Sequence, residues 1–471
     1  MKQENKNFIY NIIYQIFIYI IPLVSVPYVS RTLGVNNIGI YSYTYSIVYY
    51  FMLAAMLGIN NYGARTIAKC KDNVKERSYT FWSIHLLQAI LSLIMLILYI
   101  SGVLIFSDSY KTILLIQSIY LVSVFFDINW FFFGIEEFKL TISRNVIIKL
   151  LSLVLIFILV KNNGDLWKYT LIMSSSTLIS QIYLWIHLKK YVNFIKVSSK
   201  EIFKHFTKCL ILFVPVIAYS IYRVMDKTMI GSFSGTAELG YYENAEKIIA
   251  IPVSLITAFG TVMMPHMSKS FDEEQDMFNQ KIYKSFQLCF CFIIPMLFGL
   301  IAVGNDFSIV FFGEQFVKSG KIIQFLAISI LFSSIANVIR TNYLIPKEKD
   351  KIYVNSTIFG AVVNLILNLI FIPRFGAYGA CIGTIAAEFA VMFYQLVKVK
   401  KEIELIKIFK LLISYILKGL IMLILIVFIP VFIKKKILSL IIQIIIAVFV
   451  YFLLNYKYIL FDFLNLKRLK K

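Results

Sequence analysis

Three charged side chains stand close together in an otherwise apolar stretch of the chain. Arg223, Asp226 and Lys227 are spaced i, i+3 and i+4, and in a helix this spacing puts all three on one face. Ionisable groups are costly in apolar surroundings and usually mark the path of a substrate or an ion. The net positive face suits a phosphate or a carboxylate. An Arg–Asp pair that only sets helix packing is the structural alternative.

Other charged side chains in apolar stretches extend this candidate set. Arg340 and Arg31 are further candidates for substrate contacts, although a basic side chain near a helix end can also extend to lipid headgroups. Asp127 and Glu388 stand isolated in apolar surroundings, where a carboxyl group can take up a proton or an ion. Together with Asp226 they are the candidates for ion coupling. A structural hydrogen bond to Asn or Ser is the alternative for both isolated acids.

Motifs of the common enzyme classes do not occur. The chain has no P-loop, no G-x-S-x-G and no H-E-x-x-H sequence, which excludes the usual signatures of nucleotide hydrolysis, ester hydrolysis and zinc proteolysis. Its five cysteines never have the C-x-x-C spacing of a zinc site. We therefore expect no enzyme activity, no metal and no cofactor.

The composition is that of a membrane protein. Of the 471 residues, 59% are hydrophobic and 15% are charged, whereas a soluble domain has about 45–50% apolar and about 25% charged residues. Apolar stretches of about 20 residues, enough to cross a bilayer as a helix, recur along the whole chain. The predicted spans are 8–29, 38–58, 80–103, 110–133, 141–160, 166–187, 206–230, 245–265, 283–303, 322–344, 352–372, 377–397, 408–432 and 437–456.

These spans are grouped as six, six and two. The fold class predicted is therefore an all-α integral membrane protein with about fourteen transmembrane helices. We expect an N-terminal six-helix lobe in residues 1–190, a cytoplasmic linker in 191–205, a C-terminal six-helix lobe in 206–400, and two extra helices with a basic tail in 401–471. The two lobes are predicted to be related by a pseudo-twofold axis along the membrane normal.

The excess of basic residues indicates topology rather than a nucleic acid partner. Lys and Arg number 47 against 25 Asp and Glu, and basic residues collect in cytoplasmic loops of membrane proteins. They are concentrated in the N-terminus, the even-numbered loops and the tail, so both termini are predicted to be cytoplasmic. The last hairpin, with lysines in its outside loop, is the exception. The basic residues placed inside spans, at least three residues from a span end, include Lys149, Arg223, Lys227, Arg340 and Lys418.

A weak internal repeat links the two groups of six spans. Gly34, Gly39, Tyr41 and Ile47 recur as Gly235, Gly240, Tyr242 and Ile248, at a constant offset of 201 residues. Both copies fall on the predicted outside turn between the first two spans of their group. Internal repeats of this kind are common in transporters, so we expect the two lobes to have arisen by duplication.

Several segments resemble one family of transporters. They are the run IPLVSVPYVSRTLGVNNIG at 21–39, GINNYGAR at 58–65, YRVMDKTMIG at 222–231, GYYENA at 240–245 with the following Pro252, and IPRFGAYGACIG at 372–383. The chain is similar along essentially its whole length to the flippases that translocate O-antigen and capsule repeat units. These belong to the multidrug/oligosaccharidyl-lipid/polysaccharide exporter superfamily.

The resemblance implies two six-helix lobes around a central cavity that opens alternately to each side of a bacterial plasma membrane. It also implies a cargo of undecaprenyl-pyrophosphate-linked oligosaccharide, with membrane lipids as neighbours and a polymerase of the same pathway as a further partner. Cationic residues line the cavity in this family, which by position implies Arg223 and Lys227 first, then Arg31 and Arg340.

Three alternatives stay open. A lipid II flippase also has fourteen helices. A cation-coupled drug exporter of the same superfamily has a core of twelve helices, so the last two spans argue against it. A membrane-embedded polysaccharide polymerase or ligase usually carries a large outside loop, whereas the longest outside loops here, 231–244 and 304–321, are short.

Overall fold

The structure, a computed structural model, describes residues 3–107, 109–268 and 275–457. These ranges contain sixteen α-helices and no β-strand. The helices of the first half are α1 Gln3–Met56, α2 Ile59–Lys69, α3 Val74–Phe106, α4 Lys111–Phe125, α5 Asn129–Gly134, α6 Phe138–Leu159, α7 Leu166–Leu188 and α8 Ser199–Phe233. Those of the second half are α9 Thr236–Ser268, α10 Gln275–Phe312, α11 Val317–Ile339, α12 Asp350–Phe375, α13 Ala377–Val399, α14 Leu405–Val427, α15 Ile429–Phe432 and α16 Lys436–Lys457.

The prediction of an all-α integral membrane protein is confirmed. Within the described residues, eleven helical stretches are long and apolar enough to cross a membrane, and each of the fourteen predicted spans is helical over most of its length. Most of these helices are longer than the predicted spans, because their polar ends continue beyond the apolar segment. The segment between these two lobes' helices, after α7 ends at Leu188 and before α8 begins at Ser199, is residues 189–198; the linker boundaries 191–205 stay a prediction.

The first two predicted spans form two helices that join directly at Gly34 and are numbered together as α1. Only Gly34 breaks α1, with φ 76° and ψ 174°, a backbone conformation that a residue with a side chain adopts at a cost. Pro22 and Pro27 lie inside the same helix. The predicted outside turn is therefore a sharp change of direction at a single glycine rather than a loop.

The fourth predicted span is interrupted. Helix α4 ends at Phe125 and α5 begins at Asn129, so several backbone carbonyls lose their helical partners. The side-chain amide of Gln88 in α3 donates to the carbonyls of Val124 and Asp127 at 2.6 and 2.7 Å. The Trp185 indole N–H donates to the Phe126 carbonyl at 2.9 Å. A break at membrane depth is tolerated because protein groups satisfy it.

The chain forms two compact units, Met1–Gly240 and Tyr241–Lys471. In the first unit, buried aromatic residues of α3 and α5 form a core, with the ring of Phe81 stacked on that of Trp130 at 5.5 Å. In the second unit, α14 and α16 pack on α10. A Cβ atom at Gly419 of α14 would lie 2.6 Å from the Ile294 side chain, which shows how closely the extra hairpin sits. The lobe boundaries proposed from the sequence stay a prediction.

Candidate functional site

The charged residues predicted on one helical face all lie on α8 in the first unit. Arg223 is exposed, Lys227 is half-buried, and Asp226 is buried with 6% of its surface exposed. Asp226 lies close enough to Tyr50 of α1 for an electrostatic interaction with its hydroxyl group. The two basic side chains of this face are therefore more accessible than its carboxylate.

Helix α8 is fixed against α1 next to this face. The Thr228 hydroxyl is 3.0 Å from the Ser46 hydroxyl, and the hydroxyl groups of Tyr43 and Ser232 are 3.2 Å apart. Gly231 lets the helices approach, since a Cβ atom there would lie 2.2 Å from the Tyr43 ring. Small residues allow close packing of membrane helices, and hydrogen bonds between hydroxyl groups further stabilise the contact. The contact holds the charged face of α8 at a defined angle to α1.

The two copies of the sequence repeat meet at the predicted outside turn. A Cβ atom at Gly39 would lie 1.7 Å from the Thr236 carbonyl oxygen, and one at Gly240 would lie 2.1 Å from the Val35 carbonyl oxygen. The Thr236 hydroxyl also donates to the side-chain oxygen of Asn36 at 2.5 Å. We call this contact the glycine clasp. Its two halves are equivalent, because the 201-residue offset converts the pair 35 and 240 into the pair 236 and 39 in reversed roles.

A buried polar network surrounds Asp127 at the break between α4 and α5. One carboxylate oxygen of Asp127 accepts bonds from the Asn129 side chain at 2.7 Å and its backbone N–H at 3.0 Å. Arg144 of α6 is 3% exposed and donates to the side chains of Asn129 and Asn145 at 3.0 and 2.6 Å. The Asn129 amide also donates to Gln181 of α7 at 3.1 Å. The network joins three helices at the break.

Two points of the sequence interpretation change here. Asp127 is not isolated in apolar surroundings, because asparagine and arginine side chains surround it. Arg144 lies inside the fifth predicted span, yet it is missing from the basic residues placed within spans above. Its signal is visible in the sequence as an arginine beside Asn145 in an apolar run. The partners Asn129 and Gln181 come from other helices, so spacing along the chain could not reveal them.

The other predicted site residues belong to other helical elements. Arg31 is exposed on α1, where it lines a cavity together with Lys161. Arg340 is in the second unit, in a π-helical turn Arg340–Leu344 that follows α11, and its guanidinium lies 5.5 Å from the centre of the Tyr353 ring. Glu388 is half-buried in α13. The substrate-binding and ion-coupling roles of all these residues stay predictions.

A second charged cluster, which the sequence did not indicate, joins two predicted cytoplasmic loops of the second unit. Glu402 accepts hydrogen bonds from the Tyr343 hydroxyl and the Lys349 ammonium, and Lys347 lies 3.4 Å away. Partial burial raises the pKa of the Glu402 carboxyl, but the bonds from Lys349, Tyr343 and Lys347 outweigh burial and lower the pKa to about 2. Glu402 therefore ties the loop after α13 to the loop before α12 as a charged group.

No group of three or more His, Cys, Asp or Glu side chains is close enough to hold a metal ion in the part of the chain that the structure describes.

Comparison with known proteins gives matches along most of the chain. A family model described as polysaccharide biosynthesis protein matches residues 5–271. A protein of Shigella dysenteriae named as an O-antigen transporter is 26% identical over 388 residues, which cover 81% of this chain and 96% of that protein. A protein of the same name from Escherichia coli (strain K12) is 22% identical over 403 residues, covering 84% and 97%.

A solved structure has the same fold. The lipid II flippase MurJ in an inward closed conformation superposes with a TM-score of 0.77 at 18% identity, covering 96% of this chain and 99% of that chain. At this identity the likeness shows the fold alone. It agrees with the fold class expected from the spans.

Proposed function

Because the chain belongs to the polysaccharide biosynthesis protein family, we propose that it translocates undecaprenyl-pyrophosphate-linked oligosaccharide repeat units across a bacterial plasma membrane. The translocated repeat units serve O-antigen, capsule or exopolysaccharide synthesis. The observation that carries the proposal is the α8 face, where exposed Arg223 and half-buried Lys227 stand one turn apart in an apolar helix. A pyrophosphate needs cationic donors of this kind, and charge-assisted bonds to phosphate are about twice as strong as neutral ones.

The glycine clasp supports a gating role for the predicted outside turn. Alternating access requires a contact that closes one side of the path and can be released. The clasp consists of close backbone approaches at Gly39 and Gly240, with a hydroxyl bond from Thr236. Each of these contacts is weak by itself, so the clasp can open at a low cost in free energy. We therefore assign it to the outside gate of the transport cycle.

The remaining features follow from the proposed function. Both termini are cytoplasmic, because the basic loops and tail then lie on the cytoplasmic side. The protein is a transporter and carries no catalytic step of its own. Asp226, Asp127 and Glu388 are the candidates for coupling transport to an ion gradient. A polymerase of the same pathway receives the translocated unit on the outer face.

Transport by reconstituted vesicles tests the proposal. The full chain is reconstituted with a defined lipid-linked oligosaccharide, and its arrival at the opposite leaflet is measured for the wild type, Arg223→Ala and Lys227→Ala. A hydrogen bond to a charged group contributes about 1.5–3 kcal/mol, so each variant is expected to transport roughly 10- to 150-fold more slowly. Lys149→Ala is the matched control, because Lys149 is an exposed basic residue of α6 outside this face.

The same vesicles separate the alternatives. Wild-type rates are compared for the lipid-linked oligosaccharide, for lipid II and for a cationic drug. Faster transport of lipid II than of the oligosaccharide would assign the chain to peptidoglycan synthesis instead. Equal rates for the control and both α8 variants would contradict the role of the cationic face. The wild-type rate would still show whether the protein transports the lipid-linked oligosaccharide.

A further inference from the structure

A cavity of about 900 Å³ lies beside α1 in the first unit. One wall is a single face of α1, because its residues are spaced by three or four along the helix. The other wall is the short segment between α6 and α7, on the predicted outside of the membrane. The lining residues are Val24, Pro27, Tyr28, Arg31, Thr32, Lys161, Asn162, Asn163 and Gly164.

The lining is strongly asymmetric in charge. Arg31 and Lys161 contribute two cations, and the lining residues include no acid. Asp165, the carboxylate that directly follows the lining segment, is occupied. It accepts from the backbone N–H groups of Lys161 and Asn162 at 2.8 and 3.1 Å and pairs with Lys168 at 2.7 Å. The cavity lining therefore has an excess of positive charge and suits an anion.

The wall between α6 and α7 is held in one conformation by its own hydrogen bonds. The Asn162 side-chain oxygen accepts from the Gly164 N–H at 2.9 Å, which with the bonds to Asp165 closes a capping box around the turn Asn163–Asp165. The Asn163 carbonyl accepts from the Asn37 side chain of α1 at 2.7 Å. On the same side, the Tyr28 hydroxyl donates to the Val160 carbonyl at 2.7 Å. Both walls are held in place, which lowers the ordering cost of binding.

The cavity is also amphipathic along α1. Val24 and Pro27 form its apolar end, and Arg31 stands seven residues after Val24, about 10 Å farther along the helix axis at 1.5 Å per residue. By the predicted topology the cationic end is the outer one. The volume of the cavity, about 900 Å³, is at the upper end of the range of small-molecule sites. A lone inorganic anion requires less space than this. A phosphate headgroup with an apolar chain below it matches this arrangement of charge and volume.

We propose that this cavity binds the phosphate-bearing headgroup of a lipid in the outer leaflet, with the phosphate between Arg31 and Lys161. The shared chemistry has two sources, the pyrophosphate of the transported lipid after translocation and the phosphate of an ordinary anionic phospholipid. The first source rests on the proposed function, and the second does not. The cavity lining includes no residue of the α8 face that carries that function.

Lipid binding to the purified full chain in neutral detergent tests the inference. Affinity is measured by native mass spectrometry for three probes, a short-chain phosphatidylglycerol, a short polyprenyl pyrophosphate and inorganic pyrophosphate. The double variant Arg31→Ala/Lys161→Ala is expected to bind at least one lipid probe about tenfold or more weakly than the wild type. Arg31→Lys/Lys161→Arg, which keeps both charges, is expected to restore binding.

The pattern over the probes identifies the source. Weaker binding of both lipids assigns the cavity to anionic lipids in general, and weaker binding of the polyprenyl probe alone assigns it to the transported lipid. Weaker binding of inorganic pyrophosphate with unchanged binding of both lipids overturns the lipid site, as does unchanged binding of every probe. Transport by the wild type is measured separately, so failure of the cavity proposal and failure of the flippase proposal are distinct results.

A second measurement keeps both cations intact, in case the double variant does not fold. Thr32→Cys places a thiol in the cavity wall, and its reaction with an anionic thiol reagent is expected to be faster than with a cationic one of the same size. The lipid that binds the cavity is expected to slow both reactions. Equal rates for the two reagents, together with no protection by either lipid, would overturn the proposal.

Discussion

The glycine clasp gives the sharpest test of the outside gate. In Gly39→Ala, the new methyl group would lie 1.7 Å from the Thr236 carbonyl oxygen, where ordinary contact starts at 3.4 Å. The backbones must then separate by the difference, about 1.7 Å. Overpacking of this kind costs about 1–3 kcal/mol, which corresponds to a shift of roughly 5- to 150-fold in the equilibrium between closed and open clasp.

Labelling of a cysteine in the clasp measures this shift. Val35 is 8% exposed and touches Gly240, so Val35→Cys reacts with a membrane-impermeant maleimide only when the clasp opens. The five native cysteines are all buried, which keeps background reaction low. Adding Gly39→Ala is expected to raise the labelling rate by roughly 5- to 150-fold, and transport is expected to fall because the gate closes poorly.

Gly102→Ala is the control for the clasp. Gly102 is a helical glycine of α3, and a methyl group added there would meet no atom of the described chain within 4 Å. The substitution therefore gives the same gain in helix propensity without a clash. Its labelling rate should equal that of the parent protein. If Gly39→Ala and Gly102→Ala label Val35→Cys at the same rate, the clasp does not close the outside, and the close approach at Gly39 has no gating role.

Two further predictions concern stability. Arg144→Gln removes a buried guanidinium from its asparagine acceptors and should lower the free energy of unfolding by about 3 kcal/mol, seen as a lower Tm in detergent. An equal loss of Tm in Lys149→Gln, which changes an exposed residue of the same helix, would contradict this. The Glu402 pKa is lowered from 4.5 to about 2, so its interactions stabilise the protein above pH 4.5 and this stabilisation is lost as the pH falls towards 2. The Tm values of wild type and Glu402→Gln should therefore differ by a constant amount above pH 5 and converge near pH 2, and a difference that persists at pH 2 would contradict the assignment.

The sequence predicted the helices well because a membrane leaves few alternatives. An apolar stretch of about 20 residues must satisfy its own backbone in lipid, and a helix does so. The positions of the breaks could not be predicted equally well. Gly34 falls in the predicted turn between the first two spans, but the sequence does not show that this one glycine replaces a whole loop. The break after Phe125 falls inside the fourth predicted span, where no break was expected.

Residues of the candidate site were found when their signal was local. Arg223 and Lys227 share a face because of their spacing alone, and the structure keeps them on one helix. The network around Asp127 needs side chains from α5, α6 and α7, and their meeting depends on tertiary packing. The sequence repeat was partly visible in the sequence and partly dependent on tertiary packing. It marked Gly39 and Gly240 as equivalent, but only the structure brings each one against a carbonyl of the other copy.

The break between α4 and α5 constrains how the chain is assembled in the membrane. The carbonyl of Phe126 depends on Trp185, which is made 59 residues later, while Gln88 is already present when Val124 is synthesised. An unsatisfied carbonyl in lipid costs several kcal/mol. The nascent α4 therefore cannot settle into its final form as a lone inserted helix. We therefore expect this region to reach its final form only after α7 has left the ribosome and Trp185 can bond the Phe126 carbonyl.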